Sequence, residues 1–136
     1  MARRPKAIVL DSWAVMAYLD DESAGSEVAK IIADAHEHET PLMMTTVNAG
    51  EIWYILAREI SESDAERAIA DLKQLGIKFV DADWPLTRIA AGFKATHRMS
   101  YADCFAAALA KDQKADLVTG DKEFRQVQND VRINWL

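Results

Sequence analysis

Residues 6–11 read Lys-Ala-Ile-Val-Leu-Asp, a short apolar run closed by an acid. No polar residue interrupts Ala7 to Leu10, so both faces of this run are expected to be buried. That pattern marks a central strand of a parallel sheet rather than the half-wet strand of an antiparallel one. Outward from it, helical and extended patterns alternate. Trp13 to Leu19 predicts a short helix, followed by the polar break Asp20-Asp21-Glu22-Ser23. Val28, Ile31, Ile32 and Ala35 recur at helical spacing and predict an amphipathic helix over 24–36. A polar stretch leads to Pro41 and a second strand, Leu42 to Thr45, and the pattern is helical again from Val47 to Glu59. Ser61 starts a further helix, with Ala65, Ala68, Ile69, Leu72 and Leu75 on one face and Gly76 as its stop. Ile77 to Val80 is the third strand, closed by Asp81. Pro85 suits the first turn of a helix whose stripe is Leu86, Ile89, Ala90 and Phe93. After the polar loop 95–99, an alanine-rich helix is expected over 101–112. Asp116 to Thr119 and Val131 to Trp135 are the fourth and fifth strands, with a Gly-Asp turn after the fourth.

Strands alternating with helices imply an α/β fold, a parallel sheet covered by helices on both faces. The length, 136 residues, fits a single domain spanning 1–136. Half the chain is hydrophobic, which excludes intrinsic disorder, and 5 Gly with 3 Pro exclude collagen-like or linker character. No apolar run approaches the roughly 18 residues of a membrane span. The basic opening is followed by apolar residues that Asp11 breaks almost at once, so it does not read as a signal peptide. Cys104 alone forms no internal disulfide, and no Cys/His set suits zinc. A cytoplasmic protein with no membrane partner is expected.

The formal net charge of −6 opposes broad electrostatic adhesion to nucleic acid. It does not exclude a nuclease, because carboxylates that hold divalent cations reverse the local sign. Two bound Mg²⁺ would bring −6 to about −2.

In open α/β sheets, chemistry is found beyond the carboxyl ends of the strands. Asp11 directly follows strand 1 and Asp121 closely follows strand 4. Glu51 lies in the first turn or two of the helix after strand 2. Asp103 lies in the first turn of the helix beginning near Ser100, which reaches the same edge only if the preceding helix runs back up the sheet. Local roles compete. Asn48-Ala49-Gly50-Glu51 and Ser100-Tyr101-Ala102-Asp103 both match an N-terminal capping box or its Asp variant, and Asp121 suits a turn. Asp11 is harder to explain locally: a carboxylate against Ile-Val-Leu is costly unless paired or metal-bound, and no Lys or Arg adjoins it in sequence. Acids drawn together raise one another's pKa and are stabilised by a divalent cation. Oxygen-only ligands suit Mg²⁺ or Mn²⁺, and a carboxylate-held metal suits in-line hydrolysis of a phosphodiester.

The segments IVLDSWAVMAYL, TTVNAGEIWYIL, MSYADCFAAALA and ADLVTGDKEF resemble, in order and spacing, the PIN-domain family, and most closely the VapC-type toxins of bacterial toxin–antitoxin pairs. The resemblance implies a parallel five-stranded sheet in the order 3-2-1-4-5. That order places Asp11 and Asp121 across the switch point and the Asp103 helix start at the same edge. It further implies that Asp11, Glu51, Asp103 and Asp121 are the catalytic, Mg²⁺- or Mn²⁺-holding residues of a single-strand-selective ribonuclease. Thr119 and Ser12 match positions that support the acids. The resemblance also implies a homodimer held inactive by a cognate antitoxin. The expected reaction is attack of water on phosphorus, giving a 5′-phosphate and a 3′-hydroxyl.

Lys94, His97, Arg98 and Lys122 are candidates to guide the RNA backbone, against the plainer reading of solvated loops. Arg125 stands in the same position. His36 and His38 are two apart and point different ways on a helix. Cys104 reads as a buried structural thiol. Trp53 and Tyr54, in an all-apolar helical stretch, suit either a protein interface or burial under a neighbouring helix. Two other functions compete: a non-catalytic PIN-like binding module, and a phosphoacceptor receiver domain with Asp81 as its acceptor. The receiver needs an acidic pair at strand 1 and a Lys at strand 5, and neither is present.

Overall fold

The computed structural model describes residues 3–20 and 23–136. Asp21 and Glu22, part of the expected polar break, lie outside the described residues. Five strands form one all-parallel sheet: β1 (Ile8–Leu10), β2 (Leu42–Thr45), β3 (Ile77–Val80), β4 (Asp116–Thr119) and β5 (Ile133–Trp135), in the order β3-β2-β1-β4-β5. β1 is the central strand, with Val9 opposite Met43 of β2 on one side and Leu117 of β4 on the other. Its three residues are all buried, as an uninterrupted apolar run requires.

Six α-helices, among the described residues, cover the sheet: α1 (Ser12–Leu19), α2 (Ser23–Glu37), α3 (Thr46–Glu59), α4 (Glu62–Gln74), α5 (Trp84–Thr96) and α6 (Tyr101–Gln113). A six-residue 3₁₀ helix, Lys122–Val127, follows β4 where only a turn was expected. Side chains of a strand alternate between faces, and the two cores follow that alternation. Ile8, Leu10, Leu42 and Met44 pack with Val28, Ile52 and Leu72 of α2, α3 and α4. Val9, Met43 and Leu117 pack with α5, α6 and Phe124 of the 3₁₀ helix. Cys104 through Ala110 of α6 are all buried, and the four alanines among them let the helix lie close to the sheet. At Gly25 a β-carbon would stand 2.5 Å from the Ala17 carbonyl oxygen, so glycine is what lets α2 approach α1. Gly76, at φ +83°, ends the α4 segment in the left-handed conformation.

One boundary departs from the sequence reading in a way that matters for the site. α3 begins at Thr46, not Val47, and its cap is Thr45, whose hydroxyl accepts from the Asn48 N–H at 3.0 Å. Asn48-Ala49-Gly50-Glu51 is therefore not a capping box. The cap residue is the last residue of β2, hidden in what reads as strand.

Candidate metal centre

Asp11 leaves the end of β1 and caps α1. Its Oδ1 accepts from the Ala14 N–H at 2.8 Å, and its Oδ2 accepts from the Thr119 hydroxyl at 2.5 Å. The β1–β4 pairing brings Thr119 beside it. Asp11 is only 1% exposed. Burial pushes its carboxyl up to about 7; the two hydrogen bonds pull against that rise, and the charges of Asp103 and Asp121 add to it. Thr119 is itself fully buried, and its Oγ1 accepts from the Asp121 N–H at 3.0 Å. One hydroxyl thus ties the first acid to the backbone of the last.

Asp103 lies in the first turn of α6, where Ser100 is the cap and accepts from the Asp103 N–H at 3.1 Å. Burial pushes its carboxyl up to about 6, the Ser100 hydrogen bond opposes this, and Asp121, Glu51 and Glu123 raise it further by repulsion. Asp121 caps the 3₁₀ helix through an Oδ1 that accepts from the Glu123 N–H at 2.9 Å. The local capping roles of Asp103's turn and of Asp121 are real, and they coexist with the clustering.

Glu51 occupies the second turn of α3. Its Oε1 accepts from the Ser12 hydroxyl at 2.7 Å and from Asn48 Nδ2 at 3.4 Å. Asn48, fully buried, also donates to the Ala102 carbonyl at 3.1 Å and accepts from the Thr45 hydroxyl at 2.5 Å. It joins α3 to the first turn of α6 and holds Glu51 toward Asp103. The sequence reading gave Asn48 a capping role only; a buried amide between two acid-bearing helices is visible only once the helices are packed.

Asp103, Asp121 and Glu123 offer carboxylate oxygens that all lie within 4.8 Å of one another. Glu123 is the acid that sequence reasoning missed: the 3₁₀ helix turns it back to the site two residues after Asp121. Asp11 and Glu51 do not join this tight group: the charge of Asp103 raises the Asp11 carboxyl, whose two oxygens are both engaged in hydrogen bonds, and the charge of Glu51 raises Asp103, while Glu51 Oε1 accepts from Ser12 and Asn48. An octahedral Mg²⁺ with oxygens at about 2.0–2.1 Å needs donors up to about 4 Å apart, so the spacing fits with small side-chain rotations. The all-oxygen donor set favours a hard cation. A second group, Asp34, Glu37 and His38, is exposed, and Asp34 already contacts Arg4 at 3.5 Å and His38 at 3.3 Å.

The proposed RNA-guiding residues are placed less favourably. The Lys94 ammonium donates to the Met99 carbonyl at 2.6 Å. His97 Nδ1 lies 3.0 Å from the Phe93 carbonyl, and the His97 side chain lines a different cavity with Arg88 and Lys111. The backbone of Arg98 is clamped at both its N–H and its carbonyl by Gln126; Arg98 and Lys122 are exposed. Cys104 is buried, and burial pushes its thiol up. His36 Nε2 lies 2.6 Å from the Leu75 carbonyl. Trp53 packs with the α3–α4 core and donates to Glu66 at 2.8 Å, whereas Tyr54 stays exposed beneath Arg58.

The family model for the PIN domain matches residues 8–130. No curated protein matches the chain in sequence. Among solved structures, the fold is similar to VapBC2 from Rickettsia felis bound to a promoter DNA fragment (TM-score 0.73, 14% identity, covering 96% of this chain and 98% of that one). It is similar to VapBC-1 from nontypeable Haemophilus influenzae (TM-score 0.73, 17% identity, 95% and 97%). It is also similar to VapC20 of Mycobacterium tuberculosis, a toxin that cleaves the sarcin–ricin loop (TM-score 0.68, 16% identity, 89% and 95%).

Proposed function

The chain belongs to the PIN-domain family, and on that premise we propose that it is a divalent-metal-dependent endoribonuclease of the VapC toxin type. The observation that carries the reading is the meeting of Asp103, Asp121 and Glu123 at the carboxyl edge of the sheet, with Asp11 and Glu51 immediately around them. Asp103, Asp121 and Glu123 would hold Mg²⁺ or Mn²⁺, and Asp11 and Glu51 complete the negative field that draws a cation in. The cation, when bound, neutralises that field, activates water and stabilises charge on the phosphoryl oxygens. The chain's own part is orientation. Thr119 fixes Asp11, Ser12 and Asn48 fix Glu51, and the Ser100 cap fixes the start of the Asp103 helix. The products are a 5′-phosphate and a 3′-hydroxyl.

The same reading makes a cognate antitoxin the natural partner, as in the VapBC assemblies of similar fold. It makes a homodimer in the cytoplasm the working form, with exposed Tyr54 as a contact candidate. Among the described residues, no helix is long and apolar enough to cross a membrane. Sheet order counts against the receiver alternative. β3, which ends before Asp81, is an edge strand separated from β1 by β2, whereas a receiver needs its acceptor strand beside β1.

The test is incubation of the purified protein with single-stranded RNA. Cleavage with Mg²⁺ or Mn²⁺, none with EDTA, and none in Asp11→Asn or Asp103→Asn is expected. Undiminished cutting in EDTA, or full activity in Asp11→Asn, would overturn the proposal. No cutting under any condition would favour the non-catalytic binding module.

A further inference from the structure

One cavity is lined by two unlike kinds of side chain: the acids Glu51, Asp103 and Asp121, and the large apolar Trp13, Met16 and Ile55. Trp13 is 38% exposed although it stands in the first turn of α1, two residues from the buried Asp11. Its six-membered ring lies where a side chain on residue 120 would have to be. A β-carbon at Gly120 would fall 2.3 Å from Cη2, 2.4 Å from Cζ3 and 2.7 Å from Cζ2 of the indole. Glycine at position 120, between Thr119 and Asp121, is therefore what seats this indole against the backbone leading into the site. Among the described residues, the Trp13 indole N–H has no hydrogen-bond partner, in contrast to that of Trp53.

We infer that Trp13, seated on Gly120, is a stacking platform for a nucleobase of the single-stranded RNA next to the phosphate that is cut. This rests on the ribonuclease reading above. The two kinds of lining match the two halves of a nucleotide: the acids, once they hold a cation, take the phosphate, and the indole takes the planar base. A polypeptide could fill an apolar lining equally well in isolation. That Trp13 lines the same cavity as Glu51, Asp103 and Asp121 favours the ligand that must bring a phosphate there. Stacking tolerates any base, because every base has a π-face, so the platform would fix where the strand lies rather than which sequence it carries.

The test is fluorescence anisotropy of a labelled single-stranded hexaribonucleotide on the full chain, with Ca²⁺ replacing Mg²⁺ so that the strand stays intact. Cleavage by the wild type with Mg²⁺ is measured in parallel. Trp13→Ala is expected to weaken binding by about 5- to 150-fold, the range of base–aromatic stacking, and Trp13→Phe by less. Trp84→Ala, which removes a more exposed indole (69%) elsewhere on the surface, leaves binding as in the wild type. Gly120→Ala, which must displace the indole, weakens binding in the wild type and costs much less in the Trp13→Ala background. An abasic residue at one position of the strand reproduces the Trp13→Ala loss, and the two losses do not add. Wild-type binding by Trp13→Ala, or abasic losses that add fully to it, would overturn the platform and leave the apolar lining to a polypeptide. A wild type that cuts RNA while Trp13→Ala binds it normally refutes the platform alone. A wild type that neither binds nor cuts RNA refutes both readings.

Discussion

Replacing Asp11 by Asn is expected to stabilise the metal-free protein while weakening its response to metal. The folded chain holds the Asp11 carboxyl at about 7 instead of 3.8 because burial penalises the anion. Ionising it at neutral pH therefore costs about 4 kcal/mol of folding free energy. Asn is nearly isosteric and neutral. Its carbonyl can keep the bond from the Ala14 N–H, and its amide meets Thr119, whose hydroxyl proton loses a carboxylate acceptor. That loss returns about 1–2 kcal/mol. A net gain of about 2–3 kcal/mol in EDTA at pH 7.5 remains, a rise in Tm of roughly 6–10 °C for a chain of this size. A carboxyl whose folded pKa is raised binds more protons in the folded state, so its stabilising share is intact below 3.8 and is lost as pH rises to about 7. At pH 5 about half of the penalty has gone, and the variant's advantage should nearly vanish. Adding Mn²⁺ at a hundredfold excess over its Kd should raise wild-type stability by about 3 kcal/mol and the variant's far less. Scanning calorimetry at the two pH values, with EDTA or Mn²⁺, measures each term. A variant less stable than the wild type in EDTA at pH 7.5, or an advantage that grows at pH 5, would show that burial of the Asp11 charge does not cost stability.

Other outcomes follow from the same contacts. Thr119→Val removes the donor to Asp11 Oδ2, so urea unfolding should show a loss of about 1–3 kcal/mol; the Asp11 carboxyl should rise further and carry the acid limb of the pH–rate profile upward. Asn48→Ala leaves the Thr45 hydroxyl and the Ala102 carbonyl without their partner, and should cost about 1–3 kcal/mol in urea unfolding together with activity through a loosened Glu51. Glu123→Gln should weaken Mn²⁺ binding in calorimetric titration while leaving Tm in EDTA nearly unchanged, because Glu123 is exposed. Protons compete with metal at Asp103, and protonation of Asp11 weakens the field that draws the metal in, so activity at limiting Mn²⁺ should climb between about pH 6 and 7, and the climb should move to lower pH as Mn²⁺ increases.

The central strand and the edge that Asp11, Glu51 and Asp121 share were readable because they depend on local pattern; Asp103 reaches that edge only through the course of the preceding helix, which the family resemblance implied and local pattern did not show. An uninterrupted apolar run closed by Asp11 has few other places in an α/β fold. Ser61 punctuates a helix through its side-chain hydroxyl, and Pro85 and Gly76 through their own backbone chemistry, and each does so here. What was not readable depends on packing between distant segments. The α3 cap is hidden at the end of β2, so the role of Asn48 was misassigned. The 3₁₀ helix that returns Glu123 to the site has no apolar periodicity long enough to announce it. Lys94 reads as a free cation, but its ammonium is spent on the Met99 carbonyl of the next loop. The close seating of Trp13 on Gly120 joins residues 107 positions apart, a contact no local pattern encodes.

On this reading, carboxylates from the end of β1, α3, α6 and the segment after β4 converge on one divalent-cation site. Anomalous diffraction from crystals soaked in Mn²⁺ tests it directly. A peak within bonding distance of Asp103 and Asp121, with Asp11 and Glu51 around it, is the predicted result. A peak confined to Asp34, Glu37 and His38, or no peak at Mn²⁺ concentrations that support cleavage, would contradict it.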